Sequence, residues 1–579
     1  MSLFRSRLKS ECDRVREAAS ATLGLRPYDV QIRGGLEMHR GRIIEMATGE
    51  GKTLTALLPA YLQAIQGRPV LIATANDYLA QRDADLMRAA YLALGLSVGC
   101  VQSGQSRPDR AAAYGCDVTY GTAREFGFDF LRDRLESRRR HNSRLAMLAS
   151  GPIRVQRDSG FLLLDEADSL LIDEARTPLI LSGSLDRADA AQEACYLWAA
   201  EVAPELREGS HFQRDRFSTW PALTRAGRAQ VRGWTMPSTM ASLGLTEIHH
   251  ALERALYVAH RFQRDRHYVV RDGHVQIVDE YTGRIQPGRT WNDGLHQAIE
   301  ARERVPLTVE TGHLARITMQ EFVCRFPHIA GMTGTAREAA REFRSSYGVG
   351  VVPIPTHRPL RRERWTNAVF TTREEKEQAI VAEALQMRER CRAVLIGTPT
   401  IAASQRLSDH FASQDVEHVV LNALNPEVEA EIVAQAGAAG RVTIATNMAG
   451  RGTDIHLSTE VHQAGGLHVI ATELHSAARI DRQLEGRCGR QGDPGTYRQF
   501  LSTEDEILTT AFGHVEADRI GRTLAHAADA TRIASQLRSA QRHVEAEHHQ
   551  QRQDLMQFDR ELVRATEALG LDPVLDAIG

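Results

Sequence analysis

Short, largely apolar runs alternate with amphipathic stretches in two blocks of this chain, and that rhythm restricts its fold more than any other feature. Val70-Leu-Ile-Ala-Thr74, Asp117-Val-Thr-Tyr120 and Phe161-Leu-Leu-Leu164 punctuate residues 24 to 183. Ala393-Val-Leu-Ile396, His418-Val-Val-Leu421, Val442-Thr-Ile-Ala445 and His468-Val-Ile-Ala471 repeat the pattern from about residue 361. Runs this short suit strands, and runs with so little polar alternation suit strands buried on both faces, as in parallel sheets covered by helices. The expected fold is therefore α/β, with two sheet domains. Residues 184 to about 325 interrupt the rhythm, and Tyr268 to Asp279 reads there as a β-hairpin turning at Asp272-Gly273. From about residue 511 strand signals cease, and Ala, Arg, Glu, Gln and His dominate a helical tail.

The chemistry begins at Met46-Ala-Thr-Gly-Glu-Gly-Lys-Thr53, where Arg42 to Met46 reads as a strand and Leu54 to Ile65 as a helix. Lysine occurs only at Lys9, Lys52 and Lys376, while arginine supplies nearly all other positive charge. A lysine kept in this loop suggests a place for a compact ammonium, not a guanidinium fork. In such a turn the backbone N–H groups of Thr48, Gly49, Glu50 and Gly51 wrap a phosphate. Lys52 then reaches the outer phosphates and the Thr53 hydroxyl binds Mg²⁺. Met46 stands where the strict pattern has glycine, so a plain glycine turn with a solvated lysine stays open from this segment alone.

Phe161-Leu-Leu-Leu-Asp165-Glu166 ends an apolar strand in two carboxylates. The first can hold Mg²⁺ through water and the second can activate the attacking water; a capped helix start is the alternative reading. Gln483-Leu-Glu-Gly-Arg487-Cys-Gly-Arg490 places two arginines three residues apart on an expected helix, where they share one face. They suit arginine fingers for a γ-phosphate, or a surface salt-bridge helix. Thr446 to Asp454 and Gly331-Met-Thr-Gly-Thr335 are rich in small residues and suit turns lining the cleft between the two sheet domains; either alone reads first as an ordinary strand-to-helix turn.

The 579 residues suffice for three to five domains of about 100–200 residues each. A net charge of −3 is not that of a dedicated nucleic-acid binder. The seven cysteines include no C-x-x-C pair, which fits a reducing cytosol and gives no zinc site. No apolar run approaches the roughly 18–20 residues that span a bilayer. The basic start, Met1 to Lys9, has no signal core behind it.

The order of these segments resembles the SecA family, the ATPase motors of bacterial protein export and relatives of superfamily-2 helicases. Further matching stretches are Tyr28-Asp-Val-Gln31, Asn76-Asp-Tyr-Leu-Ala80, Glu125 to Asp133, Asp165 to Pro178, Asp293 to Ala298, Ala330 to Ala336 and Ala445 to Ile455. The resemblance implies two RecA-like P-loop domains, 1–183 (completed by about 326–360) and 361–510. It also implies an inserted preprotein-crosslinking-like domain at 184–325 and a truncated helical scaffold segment at 511–579. Gln31 is then the reader of adenine. Thr48, Gly49, Glu50, Gly51, Lys52, Thr53 and Asp454 bind nucleotide, Thr53 and Asp165 hold Mg²⁺, and Asp165, Glu166, Arg487 and Arg490 are catalytic. The implied cofactors are ATP and Mg²⁺, without zinc. The implied partners are an unfolded preprotein, a SecYEG-type channel, an anionic membrane surface and a second copy in a homodimer, at the cytoplasmic side of the membrane. Nucleic acid is not expected. Trp220, Trp234 and Trp291 of the insertion are expected in its own core.

Measured against the family pattern, most of an N-terminal helical region, the wing, the two-helix finger and the zinc tail are expected to be lacking. Leu424 stands where lysine is usual, Leu474 and Glu485 where arginine is usual, and His475-Ser-Ala-Ala478 where the pattern is more charged. Each change is expected to remove positive charge near the cleft. A helicase on the same core, or an accessory ATP-dependent protein that holds substrate without moving it, remain alternative readings.

Overall fold

The computed structural model describes residues 2–142, 154–157, 160–184, 190–214, 220–264, 267–271, 273–278, 285–286, 291, 294–308, 311–421, 432–433, 435–446, 454–527 and 529–575. Two compact units are present, one of Met1–Leu179 with Arg316–Gly579 and one of Ile180–Ala315.

The first unit holds two parallel sheets. The strands of the first, in chain order, are β1 (Arg42–Glu45), β2 (Val70–Thr74), β3 (Val98–Cys100), β4 (Val118–Thr122), β5 (Phe161–Asp165), β6 (His328–Thr333) and β7 (Gly350–Pro353). They lie side by side as β7-β1-β6-β5-β2-β4-β3. Val70, Ile72, Phe161, Leu163 and Met332 are all nearly inaccessible, as strands covered on both faces require. The second sheet runs β8 (Arg361–Arg364), β9 (Ala368–Phe370), β10 (Val394–Thr398), β11 (Val419–Leu421), β12 (Val442–Thr446), β13 (Leu467–Ala471) and β14 (Pro494–Ser502). Its order is β8-β14-β13-β10-β12-β11, with β9 also paired to β14.

Two central strands go beyond the expected set. Gly331 to Thr333 is not a turn but the end of β6, where Gly331 pairs with Leu164 and Met332 with Asp165. A Cβ at Gly331 would lie 2.8 Å from Ala167 Cβ, so this strand and the turn after β5 pack at backbone distance. The alternation in Thr496 to Ser502 is muted, because this strand is buried along most of both faces.

In the second unit Tyr268–Arg271 and His274–Val278 form the expected antiparallel hairpin, with Arg271 opposite His274. Gly273 takes φ +76°, which glycine adopts without a Cβ clash; Asp272 and Asp279 lie outside the described residues. Trp234 packs edge-on to Trp198, Trp220 lies against Tyr257, and Trp291 packs edge-on to Phe262. These three tryptophans belong to the unit's own aromatic packing.

The C-terminal stretch is helical: Glu506–Phe512, His514–Ala527 and the 39-residue Ala530–Ala568. Ile533, Leu537, Ala540 and Val544 recur at helical spacing and bury one stripe of the long helix. They pack with Leu474, Leu501, Ile507 and Leu508, so Leu474 is a core residue joining the second sheet to the tail. Beside this core, Lys376 is almost wholly buried. Its ammonium lies 2.5 Å from Asp505 Oδ1 and 3.6 Å from Glu473 Oε1. Lys9 is exposed on the first helix, Ser2–Leu23.

Candidate functional site

The carboxyl ends of β1, β6 and β5 meet at one edge of the first sheet, where parallel sheets bind ligands. β1 leads into the loop at Met46 to Gly51, and Lys52 opens helix α1 (Lys52–Ala64). Gly49 and Gly51 take φ +83° and +79°, turning the backbone sharply around the space a phosphate occupies. Met46, the departure from the strict pattern, needs no such freedom. It is buried beneath the loop, its N–H donating to Thr333 O at 2.9 Å.

The loop is held from both sides. Gln31 Nε2 donates to Glu50 O at 2.8 Å, and Gln31 Oε1 accepts from Tyr28 N–H at 2.8 Å. Gln31 thus lies behind the loop with both ends of its amide engaged. The Glu50 carboxylate accepts from His357 N–H at 2.9 Å, so Glu50 faces the loop with its backbone only. Thr48 Oγ1 donates to Gly486 O at 2.6 Å, and Gln491 Nε2 donates to Gly49 O at 2.9 Å, both across the cleft from the second sheet's side.

Lys52 Nζ lies 2.6 Å from Glu166 Oε1, with both side chains mostly buried. Burial alone presses the ammonium's pKa down; the carboxylates of Glu166, Asp165 and Asp168 outweigh it, and the net shift is upward. Glu166 adopts φ +54°, uncommon for a residue with a side chain and a mark of functional turns. The Asp165 carboxyl is pushed up to about 7 by burial and by the Glu166 charge, against the pull of Lys52. Thr53 Oγ1 faces Asp83 Oδ2 at 3.5 Å, and Asp83 is also raised by burial despite its contacts to Arg82. Asp165 and Glu166 therefore line a cleft with Lys52 and Arg82, and buried Asp83 beside Thr53 adds a third carboxylate close to Asp165. That surplus of hard oxygen charge fits a divalent cation such as Mg²⁺, with Thr53 and Asp165 as the groups that would hold it.

Helix α2 (Ala478–Glu485) faces this edge from the second sheet. Asp168 gathers both sides. It accepts from Thr333 Oγ1 at 2.6 Å and Thr335 Oγ1 at 2.7 Å, from Gln483 Nε2 at 2.6 Å and from Arg479 Nη1 at 3.2 Å. Arg479 also pairs with Asp173, and Arg482 with Glu45 at 3.2 Å. Arg487 and Arg490 line the cleft, but not from a helix face as their spacing suggested. The helix ends at Glu485, and the glycine-rich turn that follows carries both arginines. Arg490 lies against Gly49, pairs with Asp454 and donates from Nε to Gly486 O at 3.1 Å. The structure so brings together Thr48, Gly49, Gly51, Lys52, Thr53, Asp165, Glu166, Asp454, Arg487 and Arg490 around one cleft. Residues 447–453 lie outside the described residues, as does Leu424.

The amino-acid sequence matches the SecA DEAD-like domain over residues 5–344 and the SecA P-loop domain over 359–462 and 458–529. The chain belongs to the SecA family. It is 47% identical over 577 residues to Protein translocase subunit SecA 2 of Rhodopirellula baltica, covering 97% of this chain and 88% of that one. It is 45% identical to Protein translocase subunit SecA of Solidesulfovibrio magneticus, covering 96% of this chain and 65% of the relative. The corresponding protein of Syntrophobacter fumaroxidans is also 45% identical, with 94% and 63% covered. The chain thus spans less than two thirds of these last two relatives. Membership makes it a P-loop ATPase built on two RecA-type sheets.

Against the family pattern, two substitutions prove structurally accommodated. Leu474 is sealed in the core with the C-terminal helices. Glu485 pairs with Arg362, Nε to Oε1 at 3.1 Å, so the reversed charge is answered locally. Arg82, Asp83, Asp168 and Gln483 are site residues with no role assigned from sequence. Arg82-Asp83 lies within an ordinary amphipathic helix, Asp77–Ala93, and nothing in its spacing points to the cleft. Among the described residues no helix is long and apolar enough to cross a membrane.

Proposed function

We propose that this chain is a SecA-type motor that binds Mg-ATP between its two sheets and couples hydrolysis to movement of an unfolded preprotein during export. The observation that carries this reading is the Lys52–Glu166 pair, 2.6 Å apart at the end of β5, facing the turn that holds Arg487 and Arg490. Lys52 is stored on the residue suited to be the general base. Incoming phosphates compete for the ammonium and free the Glu166 carboxylate to orient and deprotonate water. Thr53 and Asp165 would hold Mg²⁺, which when bound would neutralise phosphate charge. Arg487 and Arg490 add positive charge from the opposite wall, where it is effective as charge builds on the transferring phosphoryl group. Gln31 reads adenine by exchanging one of its backbone partners for the base. The insertion at 184–325 would act as the polypeptide clamp, and a SecYEG-type channel, anionic lipid and a second copy are the proposed partners at the cytoplasmic face of the membrane.

The test compares ATP turnover with reconstituted channel vesicles, unfolded preprotein and RNA, each alone and combined. Synergy between channel and preprotein is expected. Stimulation by preprotein alone would favour a holding role, and stimulation by RNA alone would overturn the export reading. Lys52→Arg should abolish turnover in every condition while leaving the thermal transition unchanged, because a guanidinium fork does not fit the loop.

A further inference from the structure

We propose that Glu545, on helix α3 (Ala530–Ala568), is a positioning residue for the arginine turn, acting as the N-terminal cap of α2. This rests on the ATP-hydrolysing reading of the cleft and adds to it the residue through which the C-terminal helix acts.

Helix α2 begins at Ala478, and its cap residue is Ala477, whose methyl group offers no oxygen to the first-turn N–H groups. An uncapped helix start leaves those donors without intrahelical partners, and Ser, Thr, Asp or Asn ordinarily fills the gap. Here the acceptor comes from 67 residues away: Ala478 N–H donates to Glu545 Oε1 at 2.5 Å. A carboxylate at this end is also favoured by the helix dipole. One turn earlier on α3, Gln541 Nε2 donates to His475 O at 2.8 Å and to Asp481 Oδ2 at 2.7 Å. Gln541 and Glu545, four residues apart on one face, thus grip the entry to α2 and its first turn together. Burial raises the Glu545 carboxyl, while the Ala478 N–H and Arg479 favour its charged form.

What lies at the other end of α2 gives this cap its consequence. The helix is two turns, about 12 Å long, and moves as a rod. Arg479 in its first turn meets Asp168, Gln483 in its second turn meets Asp168 and Thr335, and the chain then enters the turn carrying Arg487 and Arg490. Fraying or tilting of the N-terminus therefore displaces the arginines first, and it reaches the phosphate loop through the Thr48–Gly486 and Gly49–Gln491 contacts at its edge. The effect belongs chiefly in kcat, because contacts to the developing charge count in the transition state, while KM is set mainly by Lys52 and the loop's own glycine turn.

The experiment uses the full chain. A cap of this kind typically shifts a helix end about fivefold, so Glu545→Ala is expected to lower kcat about fivefold with KM for ATP within twofold of the parent. Glu545→Gln keeps an acceptor oxygen and should stay near the parent. Ala477→Ser placed in the Glu545→Ala background restores a local cap and should recover kcat. A merely destabilised tail would not be rescued by a serine on α2. Hydrogen exchange at Ala478, read without nucleotide turnover, should quicken in Glu545→Ala and slow again in the double variant. Unchanged kcat in Glu545→Ala, or failure of Ala477→Ser to restore it, overturns the inference. A parent chain that hydrolyses no ATP overturns the hydrolytic reading and the positioning role with it, even where the exchange pattern shows the cap itself.

Discussion

Replacing Glu166 by glutamine should tighten ATP binding while abolishing its hydrolysis, and the structure sets the size of the first effect. Lys52 Nζ sits 2.6 Å from Glu166 Oε1, with side chains only 11% and 7% exposed, so solvent screens this pair little. Phosphates must take the ammonium away from that carboxylate. A hydrogen bond to a charged partner is worth about 1.5–3 kcal/mol. The amide oxygen of glutamine retains part of it, and Asp165 still attracts Lys52, so the lower half of that range is appropriate. At about 1.4 kcal/mol per decade, Glu166→Gln should lower Kd for Mg-ATP roughly tenfold. Loss of the general base should cut kcat by about 10²–10⁴. Binding is measured by equilibrium titration of a fluorescent ATP analogue, and turnover by phosphate release. A variant that binds nucleotide no more tightly than the parent refutes the storage role of the pair; one that still turns over refutes Glu166 as base.

Lys376→Met removes the one cation in a buried cluster with Asp505 and Glu473, and breaking a buried pair from one side costs about 3–5 kcal/mol. Urea unfolding should show that loss, and a change under about 1 kcal/mol would mean that the pairs contribute no more than surface ones do. Asp165, raised from 3.8 to about 7, is about half protonated at neutral pH before a divalent cation binds. Apparent Mg²⁺ affinity in the presence of ATP should therefore weaken as pH falls from 8 to 6, approaching tenfold per unit below 7, when followed by calorimetry; a flat profile would remove Asp165 from the Mg²⁺ site. The same raised carboxyl binds its proton more tightly folded than unfolded, so its contribution to stability declines as pH rises from about 4 to about 7.

The sequence made the loop legible because strand, glycine turn, lysine and helix are consecutive, and because the apolar runs around it have no reading other than buried strands. Met46 obscured the written pattern without altering the geometry, since a buried methionine serves where no left-handed backbone is needed. The arginine segment was legible in composition but not in placement. Helical spacing put Arg487 and Arg490 on one face, whereas the helix stops at Glu485 and the glycines turn the chain back along the loop. Asp168 carries no local signal, because its partners Thr333, Thr335, Arg479 and Gln483 lie at least 165 residues away in the chain. Arg82 and Asp83 gave no signal at all. A polar pair on an amphipathic helix looks the same whether it faces water or a cleft. The charge changes at Leu474 and Glu485 look like losses in the sequence alone, and packing and pairing partners distant in sequence show how each is absorbed.

The scarcity of lysine has a practical consequence for chemical labelling. Lys376 is sealed in the core and Lys52 is largely covered, which leaves Lys9 as the accessible lysine amine. Among its lysines an amine-reactive ester at low excess should therefore mark Lys9, a handle for a fluorophore or a surface tether once the α-amine, which reacts alongside it, is accounted for. Slow acylation of Lys52 would follow only when the ammonium leaves Glu166 and the cleft opens. The rate of that second modification, and its suppression by nucleotide, would report how often the motor breathes.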